Sequence, residues 1–200
     1  MSKELKKATK EKIFQAAAEL FSNEGYHNVS VREICEAVEV TKPVLYYYFG
    51  DKENLLFEMM RETRLIVEQY LEQYVLIKSN FSEKLDGIIE FYIRFISDYP
   101  YLVKFSAFIQ FMVVPERVKA FKNELSKNDW IVLFGIFKEA RKKGELKKDI
   151  EIESAARNFL GGLIIALTEY TSGILNREEF IDVMHNYLKF WKQQFVTDKN

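Results

Sequence analysis

The chain has 200 residues and a formal net charge of −1, with 48% hydrophobic and 30% charged residues. Such proportions are typical of a folded protein, and the length suffices for one core or two smaller ones, since domains most often span about 100–150 residues. No apolar run approaches the roughly 20 residues needed to cross a bilayer, and the first residues lack the apolar segment of a signal peptide. We therefore expect a cytoplasmic protein with no membrane partner.

Cysteine and histidine are scarce. Cys35 is the single cysteine, and His27 and His185 are the two histidines. One cysteine forms no internal disulfide, and these three residues do not supply the ligand set of a structural zinc site. The sequence also lacks a Ser/His/Asp set, an HExxH motif and a phosphate-binding glycine loop. We expect neither an enzyme nor a bound metal or cofactor.

Apolar residues near the amino terminus recur at helical spacing. The pattern predicts a first helix from about Lys6 to Asn23, which Gly25 ends. Ser30 and, three residues later, Glu33 form a capping box that begins a short second helix. The apolar stripe of the first helix consists of Ile13, Phe14, Ala17, Leu20 and Phe21.

A tight connection at Val38–Val40 separates the second helix from a short third one. Thr41 can cap this third helix, and Pro43 falls in its first turn, where the missing N–H costs nothing. Gly50 ends the helix after Phe49. Two short helices joined by a tight turn and preceded by a longer helix are the layout of a helix-turn-helix.

The third helix has two different sides. Leu45 and Phe49 lie about 40° apart in projection and would face the first two helices. Proline, valine and tyrosine make up the other side, which is unusual for a helix in contact with water alone. Such a side suits the major groove of DNA, where methyl groups meet thymine methyls and phenol hydroxyls reach phosphates or base edges. Its members are Pro43, Val44, Tyr46 and Tyr47.

Residues 8–56 combine four short motifs in one register: A-A-x-x-L-F, G-Y, S-V-R-x-I and L-Y-x-Y-F-x-x-K-E-x-L. As a set they resemble the amino-terminal DNA-binding domain of the TetR family of bacterial regulators. The resemblance implies an all-α fold of about nine helices. It places a three-helix helix-turn-helix domain at residues 1–52 and a larger α-helical effector-binding and dimerisation domain at residues 53–200.

The resemblance also implies a function. The protein is expected to be a homodimeric repressor that binds a pseudo-palindromic double-stranded DNA operator and is released by a small, largely apolar or aromatic effector. The alternative is a helix-turn-helix protein that acts mainly through protein partners and has no small-molecule effector. The DNA-binding residues implied by the family motif are Ser30, Arg32, Thr41, Lys42, Pro43, Val44, Tyr46, Tyr47, Tyr48 and Lys52.

Some of these assignments have structural alternatives. Lys52, at the start of the fourth helix, is expected to bind phosphate together with free N–H groups. Tyr48 leans toward Leu45 and could equally belong to the core. Arg32 could pair with Glu36, four residues later, as a weak surface ion pair. The family commonly has glycine in the turn where this chain has Glu39, which would cost on the order of 1 kcal/mol if the backbone there is left-handed.

Beyond residue 56 the sequence shows helical periodicity without a further motif. Asn80 with Glu83, and Asn176 with Glu179, form capping boxes, and Asn128 could interrupt the longest segment. Together these helices predict an α-bundle. The predicted segments are Asp51–Ile77, Asn80–Ser97, Pro100–Met112, Pro115–Lys143, Glu151–Thr171 and Asn176–Phe195.

Aromatic residues crowd the middle of the chain. Ordinary core packing explains any single ring, but as a set these rings could line a cavity for an apolar effector, with nearby polar side chains as anchors. The predicted effector-binding residues are Phe91, Arg94, Phe95, Phe105, Phe108, Gln110, Phe111, Trp130, Phe134, Asn158 and Glu169.

Small residues within the penultimate helix suggest close helix packing. Pairing this helix and the last one with their copies would form a four-helix dimer interface, and the alternative is close packing inside one subunit. A dimer is also what a short recognition helix requires, because two half-sites supply the specificity. The predicted interface consists of Ala155, Phe159, Gly162, Leu163, Ala166, Phe180, Met184, Tyr187 and Leu188.

Overall fold

The structure, a computed structural model, describes residues 3–109 and 111–197, with side chains from residue 7 onward. Within these residues the chain forms nine α-helices and one π-helical turn. The all-α prediction is therefore confirmed. The elements are α1 (Lys3–Glu24), α2 (Val31–Ala37), α3 (Lys42–Phe49), α4 (Lys52–Leu71), the π-helical turn (Glu72–Leu76), α5 (Phe81–Asp98), α6 (Pro100–Ile109), α7 (Glu116–Lys142), α8 (Ile152–Thr171) and α9 (Arg177–Phe195).

Helix starts follow the capping signals in the sequence. Capping boxes are present at Ser30–Glu33 and Asn176–Glu179, as predicted. Before α5 the arrangement differs: Asn80 Oδ1 accepts from the Glu83 N–H at 2.9 Å, but the Glu83 carboxylate accepts from the N–H of Ser79 at 3.2 Å. Either arrangement satisfies N–H groups that a helix start leaves without intrahelical partners.

The predicted break near Asn128 is wrong. α7 continues through this residue as one helix from Glu116 to Lys142. Asparagine in a helix interior costs only about 0.7 kcal/mol relative to alanine. The side chain of Asn128 is exposed, so it breaks no internal contact.

The first of two compact units comprises the residues up to Ile66 together with Tyr99–Glu124. Within it, α2 and α6 both pack against α1, and α3 packs against α2. The interior is apolar, and this burial is the dominant favourable term in folding. Its buried residues include Ile13, Phe14, Ala17, Phe21, Ile34, Leu45, Phe49, Leu55, Leu56 and Met59.

The second unit comprises Val67–Asp98 together with the residues from Leu125 onward. α9 packs against both α5 and α8. The core contains an aromatic cluster whose neighbouring ring centroids lie 5.0–6.1 Å apart, the spacing that favours edge-to-face contacts. The indole Nε1 of Trp191 donates to Asn158 Oδ1 at 3.1 Å, so its one polar atom is satisfied. The cluster consists of Phe81, Phe137, Phe159 and Trp191.

Gly87 of α5 lies in close contact with the backbone of the π-helical turn. A Cβ atom at this position would lie 1.9 Å from the carbonyl oxygen of Tyr74 and 2.9 Å from its carbonyl carbon. Tyr74 belongs to the π-helical turn, where one extra residue widens the helix. α5 can therefore approach this turn only with glycine at position 87.

Replacing Gly87 with alanine tests this contact. We expect Gly87→Ala to lower the free energy of unfolding by about 2–3 kcal/mol, because backbone must move to admit the methyl group. Gly135→Ala in α7 is the matched control, since a Cβ there meets nothing within 4 Å. It should be neutral or stabilising by up to about 1 kcal/mol. Urea unfolding of both variants makes the comparison, and equal stability of Gly87→Ala and wild type would contradict the close approach.

Candidate DNA-binding surface

α2 and α3 form the predicted helix-turn-helix. Leu45 and Phe49 are buried, and the Phe49 ring stacks on Phe14 of α1 with centroids 5.3 Å apart. Ile34 of α2 is buried in the same unit. One side of α3 is therefore held by the core, and its orientation relative to α1 and α2 is fixed.

The turn between α2 and α3 contains the predicted left-handed residue. Glu39 has φ 54°, a positive value that residues other than glycine seldom adopt. The Glu39 N–H donates to the carbonyl of Glu36 at 3.3 Å, and the Val40 N–H donates to the carbonyl of Cys35 at 3.0 Å. These bonds close the end of α2, so the turn keeps its shape despite the unfavourable φ.

The outer side of α3 is open to solvent. Tyr46 is 45% exposed and Tyr47 68% exposed, and Lys42 and Pro43 are exposed as well. Val44 is half-buried beside them. Thr41 occupies the N-cap position, but its hydroxyl makes no capping hydrogen bond. These side chains are placed as a groove-binding helix requires.

Tyr48 takes the core alternative. Its ring contacts those of Tyr47 and Phe49, with centroids 5.3 and 6.0 Å away. Its hydroxyl oxygen is buried and has no hydrogen-bond partner among the described residues. A phosphate could reach this oxygen only after the ring moved, so the observed position favours packing for Tyr48.

At the start of α2, Ser30 and Arg32 both have partners within the helix. The Ser30 N–H donates to Glu33 Oε2 at 2.7 Å, and this bond lowers the pKa of the Glu33 carboxyl. Arg32 pairs with Glu36 at 2.6 Å, and the hydrogen bond raises the pKa of Arg32. Both members of this pair are exposed, and exposed pairs contribute little, so DNA phosphate could replace Glu36.

Lys52 has hydrogen-bond partners inside the protein. Its Nζ donates to the carbonyl oxygens of Tyr26 at 2.8 Å and Val29 at 2.7 Å, and lies 4.2 Å from the centroid of the Tyr26 ring. Burial lowers the pKa of Lys52, although the nearby Glu33 carboxylate opposes that shift. Two of the three N–H groups of this ammonium are thus used inside the protein, and phosphate binding by Lys52 stays a prediction.

The surface carries little net charge. Between Tyr26 and Lys52 the sequence has three lysine or arginine residues and four aspartate or glutamate residues, a local charge of −1. Lys42 is the cation of α3 itself, and it is exposed. Hydroxyl and backbone N–H groups must therefore supply much of any phosphate contact.

The predicted effector residues are divided between the two compact units. Phe105, Phe108 and Phe111 belong to the first unit, and the others that the structure describes belong to the second. Gln110 lies outside the described residues. In the first unit Phe105 is buried, Phe108 half-buried and Phe111 exposed.

In the second unit the predicted effector residues already have partners. Phe91 and Phe95 are buried and stack with centroids 5.8 Å apart. Trp130 stacks on Phe134 at 5.5 Å. The polar candidates are similarly placed: Arg94 pairs with Glu90 at 2.6 Å, Asn158 accepts from Trp191, and Glu169 is half-buried.

A groove of about 470 Å³ lies in the second unit. Two of its carboxylates already form ion pairs at 2.6 Å, Asp86 with Lys192 and Glu90 with Arg94. None of the predicted effector residues lines it. Residues that do include Tyr74, Glu83, Asp86, Gly87, Glu90 and His185.

The residues predicted for the dimer interface are packed inside the subunit. Gly162 lies against Tyr187, whose ring would be 2.3 Å from a Cβ at that position, and the Tyr187 hydroxyl donates to the Asn158 carbonyl at 2.7 Å. The alternative of close packing within one subunit therefore describes them. The remaining members are buried: Ala155, Phe159, Leu163, Ala166, Phe180, Met184 and Leu188.

The sequence analysis did not identify the exposed apolar side of α8 and α9. α8 exposes Ile164 and Ile165 beside the half-buried Gly161, and α9 exposes Val183 and Phe190. Each set recurs at helical spacing, so the signal was present. Both sides of α8 are apolar, however, and periodicity alone does not say which one the subunit buries.

The described part of the chain lacks two further kinds of feature. No helix within it is long and apolar enough to cross a membrane. The same residues contain no group of three or more histidine, cysteine, aspartate or glutamate side chains placed to hold a metal ion.

The fold and this surface define a helix-turn-helix protein of the transcription-regulator class. The family model described as "Bacterial regulatory proteins, tetR family" matches residues 13–59. The HTH-type transcriptional regulator QacR of Staphylococcus aureus is 30% identical over 161 residues, covering 78% of this chain and 84% of QacR. The chain therefore belongs to the TetR family of bacterial regulatory proteins.

Two further comparisons extend over most of the chain. The fatty acid metabolism regulator protein of Bacillus subtilis is 24% identical over 169 residues, 84% of each chain. The crystal structure of the transcriptional regulator FadR from Bacillus subtilis in complex with stearoyl-CoA has a TM-score of 0.71 at 21% identity, covering 90% of this chain and 96% of that one. At this identity the structural likeness shows the fold.

Glu39 provides a test of the turn. We expect Glu39→Gly to stabilise the protein by up to about 1 kcal/mol, because glycine adopts positive φ without steric cost. Glu39→Ala is the control: it removes the same carboxylate but keeps a Cβ at φ 54°, so it should not stabilise. Thermal unfolding of the two variants distinguishes strain from charge, and equal melting temperatures would argue against backbone strain.

Proposed function

We propose that the protein is a cytoplasmic, homodimeric transcriptional repressor that binds a pseudo-palindromic operator through α3 and is released by a small, largely apolar effector. The observation that carries the DNA-binding part is the division of α3 into two sides. Leu45 and Phe49 hold it in the core, while Lys42, Tyr46 and Tyr47 are exposed. TetR-family membership supports the same role.

Side-chain chemistry supports the use of this side in the major groove. Lys42 can donate to guanine O6 and N7, and the Tyr46 and Tyr47 hydroxyls can reach base edges or phosphates. Pro43 and Val44 offer apolar contact to thymine methyl groups. Thr41, at the helix start with its hydroxyl free of capping, can donate to phosphate.

The exposed side of α8 and α9 supports a homodimer. Ile165 is 61% exposed, and Ile164, Val183 and Phe190 are exposed near the small residue Gly161. Two copies of this side would form a four-helix interface in which glycine allows close approach. Such a dimer would present two copies of α3 to half-sites about one helical turn apart, or a multiple of that distance.

The effector class is suggested by relatives. The name of one relative places it in fatty acid metabolism, and the solved structure of FadR, which has this fold, is a complex with stearoyl-CoA. A long acyl chain is apolar, as the sequence predicts for the effector. Release of DNA requires that the effector bind one conformation of the protein more tightly than the other. The effector can weaken DNA binding by no more than this difference in affinity.

One observation favours the alternative, action through protein partners without an effector. Phe91 and Phe95 are buried in ring contact, so they leave no space between them for a ligand. A ligand that released the protein from DNA would exclude this alternative.

Operator recognition is tested first. The wild-type protein is first used to select a duplex of about 30 base pairs from a pool of random sequences. Fluorescence anisotropy then measures how tightly each variant binds this duplex and a scrambled one. We expect Lys42→Ala and Tyr46→Phe each to cost about 1–3 kcal/mol of discrimination. The control Lys142→Ala removes an exposed charge on α7 and should bind as wild type does. Unchanged discrimination in Lys42→Ala and Tyr46→Phe would count against α3 as the recognition helix.

The dimer surface is tested by placing a charge in it. Ile165→Asp should weaken self-association at least about 100-fold, because two carboxylates would be buried near the symmetry axis. Ile77→Asp is the matched control, since Ile77 is 69% exposed but lies outside α8 and α9. Sedimentation equilibrium at micromolar concentration compares the two, and a dimer that tolerates Ile165→Asp would exclude this surface.

The effector class is tested by ligand-dependent unfolding. Stearoyl-CoA at about 100 times its dissociation constant should stabilise the protein by about 2.7 kcal/mol, a rise of several degrees in melting temperature. It should also weaken operator binding. Coenzyme A without the acyl chain is the control and should have neither effect. No response to stearoyl-CoA, shorter acyl-CoAs or aromatic compounds would favour the alternative without an effector.

A further inference from the structure

Lys52 connects the first turn of α4 to the loop between α1 and α2. Its ammonium donates to two carbonyl oxygens of that loop, Tyr26 at 2.8 Å and Val29 at 2.7 Å. The same ammonium lies over the Tyr26 ring, 4.2 Å from its centroid. These partners are 26 and 23 residues away in sequence, so the contact joins two separate parts of the first unit.

These carbonyls lie next to the start of α2. Val29 directly precedes Ser30, the N-cap of α2, and both Val29 and Tyr26 are buried. A bond to the Val29 carbonyl therefore fixes where α2 begins. The capping box of Ser30 and Glu33 holds the other side of the same turn, with the Ser30 N–H to Glu33 Oε2 distance at 2.7 Å.

Hydrogen bonds from a charged donor to buried carbonyls are stronger than neutral ones and costly to remove, because the carbonyls would be left without a partner. The ring beneath the ammonium adds a cation–π contact. The loop is also held by the burial of Tyr26 and Val29 and by a hydrogen bond from Asn28 Nδ2 to the Glu24 carbonyl at 2.8 Å. Lys52 thus supplies directional contacts that apolar packing does not provide.

We propose that Lys52 is a positioning residue that ties the amino terminus of α2 to the amino terminus of α4. A displacement of the first turn of α4 then moves α2, and with it Ser30 and Arg32, as well as α3, which adjoins α4 through Gly50. The coupling to DNA binding rests on the proposed function, but the tie itself does not.

The two possible roles of Lys52, positioning α2 and binding phosphate, predict different salt dependences of DNA binding. If Lys52 bound phosphate, its removal would flatten the slope of log affinity against log salt concentration by about 0.9, or about 1.8 for two subunits of a dimer. A residue that positions α2 makes no phosphate contact of its own, so its removal leaves the number of released counterions unchanged as long as α2 still reaches the DNA. Its removal weakens binding without that change in slope.

The first measurement uses the free protein. Hydrogen exchange of amides in Tyr26–Glu36 is followed in wild type, Lys52→Met, Lys52→Gln and Lys52→Arg. We expect exchange in this segment to be at least about fivefold faster in Lys52→Met, intermediate in Lys52→Gln, and close to wild type in Lys52→Arg, which retains charged donors. Amides in α8 and α9 serve as the internal reference and should not change.

The second measurement is the salt dependence of binding to the selected duplex. Lys52→Met should weaken binding about tenfold at fixed salt while retaining the wild-type slope. Lys119→Met is the matched control for charge, since Lys119 is an exposed residue of the first unit that pairs with Glu116 in its own helix at 3.0 Å. It should change neither affinity nor exchange.

Two results would overturn the proposal. Wild-type exchange of Tyr26–Glu36 in Lys52→Met would show that the bonds do not hold the loop. A slope reduced by about 1.8 with unchanged exchange would return Lys52 to phosphate binding. If selection enriches no duplex, the proposed function fails. Hydrogen exchange in the free protein still shows whether Lys52 holds the loop before α2. If Lys52→Met does not fold, the comparison of Lys52→Gln with Lys52→Arg decides it.

Discussion

The burial of Leu45 and Phe49 constrains everything else at the DNA-binding surface. With these two side chains in the core and the Phe49 ring stacked on Phe14, α3 cannot rotate about its axis. The helical repeat then leaves Tyr46 and Tyr47 no position except the outside. The exposed tyrosines are therefore a consequence of core packing, and their rings are available for contact without any rearrangement of the domain.

The low charge of this surface has a consequence for specificity. A surface rich in lysine and arginine binds any DNA through counterion release, whatever its sequence. Here the segment from Tyr26 to Lys52 has a charge of −1, and Arg32 and Lys52 are engaged within the chain. Non-specific affinity should accordingly be low, so that base contacts account for a larger share of DNA binding.

The local features of the fold could be predicted from sequence, whereas the tertiary ones could not. Capping residues and helical periodicity located all nine helices of the described chain and the split sides of α3, because these signals act within a few residues. The dimer interface was predicted around Phe159 and Leu163, which the subunit itself buries, because both sides of α8 are apolar. The partners of Lys52 are more than 20 residues away, and no local pattern reports them.

Glu39 and Lys52 act at the two ends of α2. The turn holds a glutamate at φ 54°, which disfavours the conformation that places α3. The bonds from Lys52 to Tyr26 and Val29 act at the opposite end of α2 and favour it. α2 is thus held at its start by a charged contact from α4 and at its end by a strained turn to α3. A helix of seven residues with few buried side chains depends on both ends for its position, so a movement of α4 reaches the DNA-binding surface through α2 as directly as through α3.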